Sequence, residues 1–187
     1  MQERSLEVQR DEYKRRRFLA MPLAGTIMWF AVGMASLFLE GYQLVLMTYI
    51  CVGSIAYLGM FLSKLTGEDF LDKSKPKNEF DTLFMMTVMM SFLVFSIAIP
   101  FGLQDPQSIP FSLGILTGLM WLPLSWTIKH PIGILHAVGR TVALLLIWFL
   151  FPNETYTLIP FTIVGIYLVV IFVLERRWKQ FQVNEIP

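Results

Sequence analysis

His136 and Arg140 are residues whose types and spacing could do chemistry in an unusual setting. Four positions apart on a helix, they share one face. They lie inside PIGILHAVGRTVALLLIWFLF, a nearly unbroken apolar run from Pro131 to Phe151. A run of that length can cross a hydrocarbon core about 30 Å thick. Arg140 would sit roughly 14 Å along such a helix, close to the bilayer midplane. A guanidinium there costs about 2.5–3.5 kcal/mol on insertion scales, and intramembrane charges as a rule face a bundle interior or a water-filled cavity. An imidazole that can accept or donate, beside five fixed N–H donors, suits a carboxylate, a phosphate or a halide. The blander reading is that both side chains satisfy backbone carbonyls freed by Pro123 in a neighbouring segment.

Two further residues complete the candidate ligand-binding set. Trp121, deep in an apolar segment, can line a cavity or pack against lipid. Asp69 belongs to the charged stretch KLTGEDFLDKSKPKNEFD that begins at Lys64. No apolar segment contains an Asp or Glu in its interior, so the acids of this stretch are the nearest protein counterions for Arg140. Asp69, or else Asp72 or Glu68, is expected to approach the guanidinium. Gly67 would supply the turn that folds an acid back toward the bundle, anchored by Phe70 and Leu71. The alternative is a solvated linker.

Other chemistry is set aside. His130 and His136 are the only histidines, with no HExxH and no acid in the same segment, so no metal site is expected. Cys51 is the single cysteine and cannot support a disulfide or a dithiol centre. No lysine lies within an apolar segment to form a Schiff base, and no GxSG is present. No catalytic residue and no cofactor is therefore expected.

The elements that must position His136 and Arg140 are apolar helices. Hydrophobic residues make up 55% of the chain and charged ones only 16%, against about 25% charged in soluble domains. Six apolar segments, roughly 18–39, 42–63, 80–103, 109–128, 131–151 and 156–174, predict an all-α polytopic membrane protein. The expected organisation is a charged N-terminal segment over 1–17, a six-helix membrane domain over 18–175 and a tail over 176–187. The N-terminal segment, with four acids among its basic residues, reads as a polar surface helix rather than a cleavable signal.

Topology follows from the basic residues. Six lie in residues 1–17, four in 64–79, one at Lys129 and three in the tail, all on one side of an alternating six-span chain. The turns near Glu40, Asp105 and Glu154 carry none, and the one remaining basic residue is Arg140 itself. The positive-inside rule then predicts cytoplasmic termini and three helical hairpins joined by tight outer turns. Within the segments, Gly25, Trp29 and Gly33 repeat every four residues, and Gly114 and Gly118 have small-xxx-small spacing. Both patterns permit close helix approach. Pro22 and Pro123 are expected to break or kink their helices.

The stretches GEDFLDKSKP (Gly67 to Pro76) and LPLSW (Leu122 to Trp126) resemble a family of small bacterial membrane proteins of unknown function. The resemblance covers most of the chain and departs at Lys75, where an asparagine would be expected. It implies a multi-span protein of a bacterial inner membrane and carries no activity with it.

Two functions are left in play. One is a transporter or binder of a small anionic solute, with a cavity at His136 and Arg140 opening to the cytoplasm. The other is a non-enzymatic lipid-interacting or partner-stabilising subunit, in which Arg140 snorkels toward headgroups. An intramembrane enzyme with His136 as base lacks an evident nucleophile. Expected partners are membrane lipid and a small anion, with a homodimer open and nucleic acid disfavoured by the N-terminal acids.

Overall fold

The structure, a computed structural model, describes residues 4–70, 72, 74 and 76–184, and among these it contains helices and no strand. In chain order the helices are α1 (Leu6–Lys14), α2 (Ala20–Ala35), α3 (Gly41–Leu65), α4 (Glu79–Leu93), α5 (Phe95–Gln104), α6 (Ser108–Gly118), α7 (Trp121–Ile128), α8 (Ile132–Leu150) and α9 (Thr155–Asn184). The stretches Gly41–Leu65, Glu79–Gln104, Ser108–Ile128, Ile132–Leu150 and Pro152–Val183 are long and apolar enough to cross a membrane. α2 is equally apolar but only 16 residues long, about 24 Å of helix. Five to six helices of this kind fit a membrane protein.

Local chemistry sets the helix boundaries. Asn78 caps α4 by accepting the Phe80 N–H at 3.0 Å, and Glu79 and Asp81 occupy the first turn where the helix dipole favours acids. The expected kink at Pro123 is a break one turn earlier, between α6 and α7. Pro123 cannot donate to the Leu119 carbonyl, which instead accepts from the Leu122 N–H at 3.1 Å. Pro22 breaks nothing, because it lies in the first turn of α2 where its missing N–H has no intrahelical partner to lose. α9 continues past the expected end of the last span to Asn184.

The small residues act where their spacing predicts. A methyl group on Gly25 would fall 2.6 Å from the Tyr167 ring, and one on Gly33 3.1 Å from Phe161, so α2 lies directly against α9. On α6, a methyl on Gly114 would come within 2.5 Å of Leu144 and one on Gly118 within 3.1 Å of the Arg140 stem. The tightest approach involves a glycine outside either pattern. A methyl on Gly133 would stand 2.1 Å from the Trp121 carbonyl, where α7 turns back along α8.

The basic segments gather at one end of the bundle. Arg16 pairs with Asp81 and Arg17 with Glu175, while Arg177 donates to the Lys14 carbonyl. Asn78 Nδ2 donates to the Gln9 carbonyl at 2.8 Å, and the Arg10 guanidinium lies 4.4 Å from the centre of the Trp126 ring. α1 is therefore docked across this end by polar side chains. Tyr13 is buried between Phe18 and Phe80 with ring centres 5.1 and 5.9 Å away. Leu6 and Val8 stay exposed.

Candidate functional site

Arg140 is 0% exposed and His136 2% exposed, at the centre of α2, α6, α7, α8 and α9. Among the described residues the guanidinium is held only by neutral groups. Its Nη1 donates to the Tyr167 hydroxyl at 3.3 Å and lies 3.5 Å from His136 Nε2, and its Nη2 donates to Thr117 Oγ1 at 3.2 Å. The rings of Trp29 and Tyr167 face it, with centres 5.5 and 5.6 Å from the guanidinium carbon. Such contacts favour a desolvated cation. Among the described residues no carboxylate pairs with it.

Three buried nitrogens in this cluster have no hydrogen-bond partner: Arg140 Nε, His136 Nδ1 and Trp29 Nε1. With His136 Nε2 as the acceptor facing Arg140, the neutral ring carries its hydrogen on Nδ1, so all three are unmatched donors. Unmatched buried donors are uncommon, and together with the uncompensated charge they make the cluster electropositive. His136 is fixed by aromatic neighbours, its ring centre 4.4 Å from Trp121 and 5.0 Å from Tyr167.

A cleft of about 70 Å³ opens beside the cluster. One wall is α4, through Phe80, Leu83, Phe84 and Thr87; the others come from α2, α3, α7 and α9. Arg16, Asp81 and Glu68 stand at its polar end, and the lining becomes apolar inward through Met21, Ile55, Met120 and Leu124. Trp121 and Tyr167 form part of the wall nearest the cluster. A second, smaller cavity of about 30 Å³ shares Met21, Ile55, Met120 and Tyr167 with the first and also touches Thr117. Arg140 and His136 do not line either cavity. The expectation that they do is corrected in one respect: they stand behind Tyr167, Trp121 and Thr117, which do.

The structure separates the sequence candidates. Arg140, His136 and Trp121 come together, and Asp69 does not join them. Asp69 sits in the turn after α3 at φ 31°, with its N–H bonded to the Ser63 carbonyl at 2.9 Å. Gly67 does supply the expected turn, at φ 78°, and an acid does fold back. That acid is Glu68, and its target is the start of α2: Oε1 accepts from the Leu19 and Ala20 N–H groups, each at 2.8 Å. A helix N-terminus offers a carboxylate several unsatisfied N–H donors and a favourable dipole, which a guanidinium on another helix cannot outcompete at a distance. Phe70 anchors the turn against Phe84, ring centres 5.1 Å apart, whereas Leu71 lies outside the described residues.

Tyr167, Thr117 and Trp29 escape the sequence reading as site residues. Their signal was partial: Trp29 lies one turn from Gly25 and Thr117 precedes Gly118, so both flank glycines that mark close helix approach. Nothing in the sequence assigns Tyr167 to the Gly25 gap, because that pairing joins helices far apart in the chain. His130 has its Nδ1 accepting the Ile132 N–H at 3.2 Å at the start of α8. Partial burial, with Arg177 nearby, holds its pKa below the usual histidine value.

The model of a family of unknown function, DUF7010, matches residues 6–177, most of the chain. No curated protein and no solved structure matches it.

Proposed function

We propose a function for a chain that belongs to the DUF7010 family and takes no activity from that membership: it is an integral membrane protein that binds a small anionic solute beside Arg140. In this reading six helices cross a plasma membrane, with the basic end of the bundle, both termini and the cleft mouth on the cytoplasmic side. The reading is supported by the distribution of Lys and Arg along the chain and by the contacts that gather those segments.

The observation that carries it is a fully buried guanidinium with neutral partners only and an unmatched Nε. A protein that needed Arg140 only for packing would be more stable with an apolar side chain there, or would place a carboxylate beside it. Retaining an uncompensated cation next to a cleft is the arrangement of a site that completes its charge with a ligand. The burial of Arg140 also removes the support for snorkelling, because no part of the side chain reaches the lipid face.

The test is a thermal-shift screen of the purified protein against carboxylates, phosphates and halides. Carboxylates or phosphates should raise the midpoint of the wild type and leave Arg140→Leu unmoved. Equal shifts in both proteins would refute the reading.

A further inference from the structure

Among the described residues, Tyr167 both bonds Arg140 through its hydroxyl and lines the cleft with a hydrogen left to give. The hydroxyl accepts from Arg140 Nη1, which occupies a lone pair, and its own hydrogen has no acceptor among the described residues. The other hydroxyl on Arg140 is already committed: Thr117 Oγ1 accepts from Nη2 and donates to the Leu113 carbonyl at 2.6 Å. Tyr167 is 5% exposed and lines both cavities. A phenol that accepts from a cation is a stronger donor through its own O–H, because the hydrogen bonds polarise one another.

What the rest of the cleft would hold is equally specific. Between Tyr167 and the polar end the lining is mainly Met21, Ile55, Phe84, Met120 and Leu124, and the hydroxyls of Thr87 and Thr127 are committed to the Phe84 and Pro123 carbonyls. At the polar end Arg16 and Asp81 satisfy each other, and Glu68 Oε1 is taken up by the Leu19 and Ala20 N–H groups. The cleft therefore presents one polarised donor at its inner end and an apolar path leading to it.

We propose, resting on the anion-binding reading above, that the ligand is an amphipathic acid: an apolar chain lying along the cleft, with its anionic oxygen accepting from Tyr167 and Arg140 supplying the charge from behind. Arg140 then acts through Tyr167 and supplies the charge that distinguishes an acid from an alcohol, while Tyr167 is the direct contact to the ligand oxygen. A free fatty acid and an anionic lipid headgroup share this chemistry.

The experiment uses Trp121, which lines the cleft, as its reporter. The full chain in phosphatidylcholine nanodiscs is titrated with 10,11-dibromoundecanoate, with the matching dibromo-alcohol as control, and Trp121→Phe identifies the Trp121 share of the quenching. The expected result is saturable Trp121 quenching by the acid, with the alcohol and the Tyr167→Phe variant each about tenfold weaker. Tyr167→Phe keeps the ring that fills the Gly25 gap, so a fold defect can be checked separately by its thermal midpoint. Trp121 quenching from brominated phosphatidylglycerol in place of the free acid would support the proposal with lipid as the source. Equal quenching by acid and alcohol, or an unchanged response in Tyr167→Phe, would overturn it. Those results would leave the anion-binding reading standing if short carboxylates still shift the wild type but not Arg140→Leu; loss of that Arg140 dependence would sink both.

Discussion

Arg140→Leu should not destabilise the unliganded protein, and this sets a functional guanidinium apart from a structural one. The side chain gives three contacts at 3.2, 3.3 and 3.5 Å, all longer than the 2.7–2.9 Å of a good charge-assisted bond. Bonds to charged groups are worth about 1.5–3 kcal/mol each at good geometry, and these are stretched. Against them stands the desolvation of a cation, several kcal/mol even after relaxation. Leucine leaves His136 Nε2 without the donor that lay 3.5 Å away, but Thr117 retains its bond to the Leu113 carbonyl, and Tyr167 loses an interaction in which it was the acceptor. Replacing buried ionic groups with apolar ones is often neutral or stabilising by about 1–4 kcal/mol, so a change between zero and a few kcal/mol of gain is expected. Thermal and denaturant unfolding of both proteins in the same detergent, without added anion, measures it. A loss of about 3 kcal/mol or more, typical of a broken buried pair, would refute the reasoning.

The remaining predictions concern the parts that hold the site in place. Gly133→Ala should cost about 1–3 kcal/mol or more, because the added methyl meets backbone at the Trp121 carbonyl and α7 and α8 must separate; a wild-type melting curve would show the crossing to be looser than described. Glu68→Ala should cost about 1–2 kcal/mol by uncapping α2 and should speed hydrogen exchange at Leu19 and Ala20, whereas Arg140→Leu should leave those amides and the turn at residues 66–70 unchanged. For His130, the folded pKa lies below the unfolded one, so protonation favours unfolding: stability should fall as pH drops through about 6.5, and less so in His130→Asn, measured by melting between pH 7.5 and 5.5. Reporter fusions at Lys75 and after Glu185 should report the cytoplasm and one at Asp105 the opposite side; an external signal at Lys75 would exclude the proposed orientation.

The fold was largely legible because lipid removes alternatives. A chain that must satisfy its backbone without water can cross only as helix or closed barrel, and apolar runs of about 20 residues have the length of the helix, so they translate directly into elements. Glycine spacing even located two of the packed faces, α2 on α9 and α6 on α8. Length misled at the first span: the apolar run from Phe18 to Leu39 is longer than α2, since its last residues form the turn into α3 rather than helix. The site was half legible. A charge in an apolar run announces itself, and a four-residue spacing ties His136 to it. The partner of that charge cannot be read in the same way. The expectation of Asp69 rests on the absence of an acid within any apolar segment, and it presumes that the charge is neutralised by protein. The structure surrounds it instead with Tyr167, Thr117, Trp29 and His136, ordinary residues of apolar helices whose convergence depends on tertiary crossing alone.

That neutral surround decides which ligand chemistry can succeed. An anionic oxygen one hydrogen bond beyond the Tyr167 hydroxyl would lie about 6 Å from the guanidinium, an attraction of roughly 2.8 kcal/mol at an effective dielectric near 20. Stripping water from a carboxylate costs several kcal/mol, so Coulomb attraction with one polarised phenol retains a bare ion only weakly, at the high concentrations of a thermal-shift screen. An apolar chain entering from water adds about 0.8 kcal/mol per methylene buried, and four or five methylenes close the gap. The same chain on an alcohol gains the burial without the charge. An uncompensated cation set one side chain back from an apolar cleft therefore favours acids with a hydrophobic body over either inorganic anions or neutral amphiphiles. Moving the guanidinium into the cleft would reverse that preference, by admitting water and small ions to it.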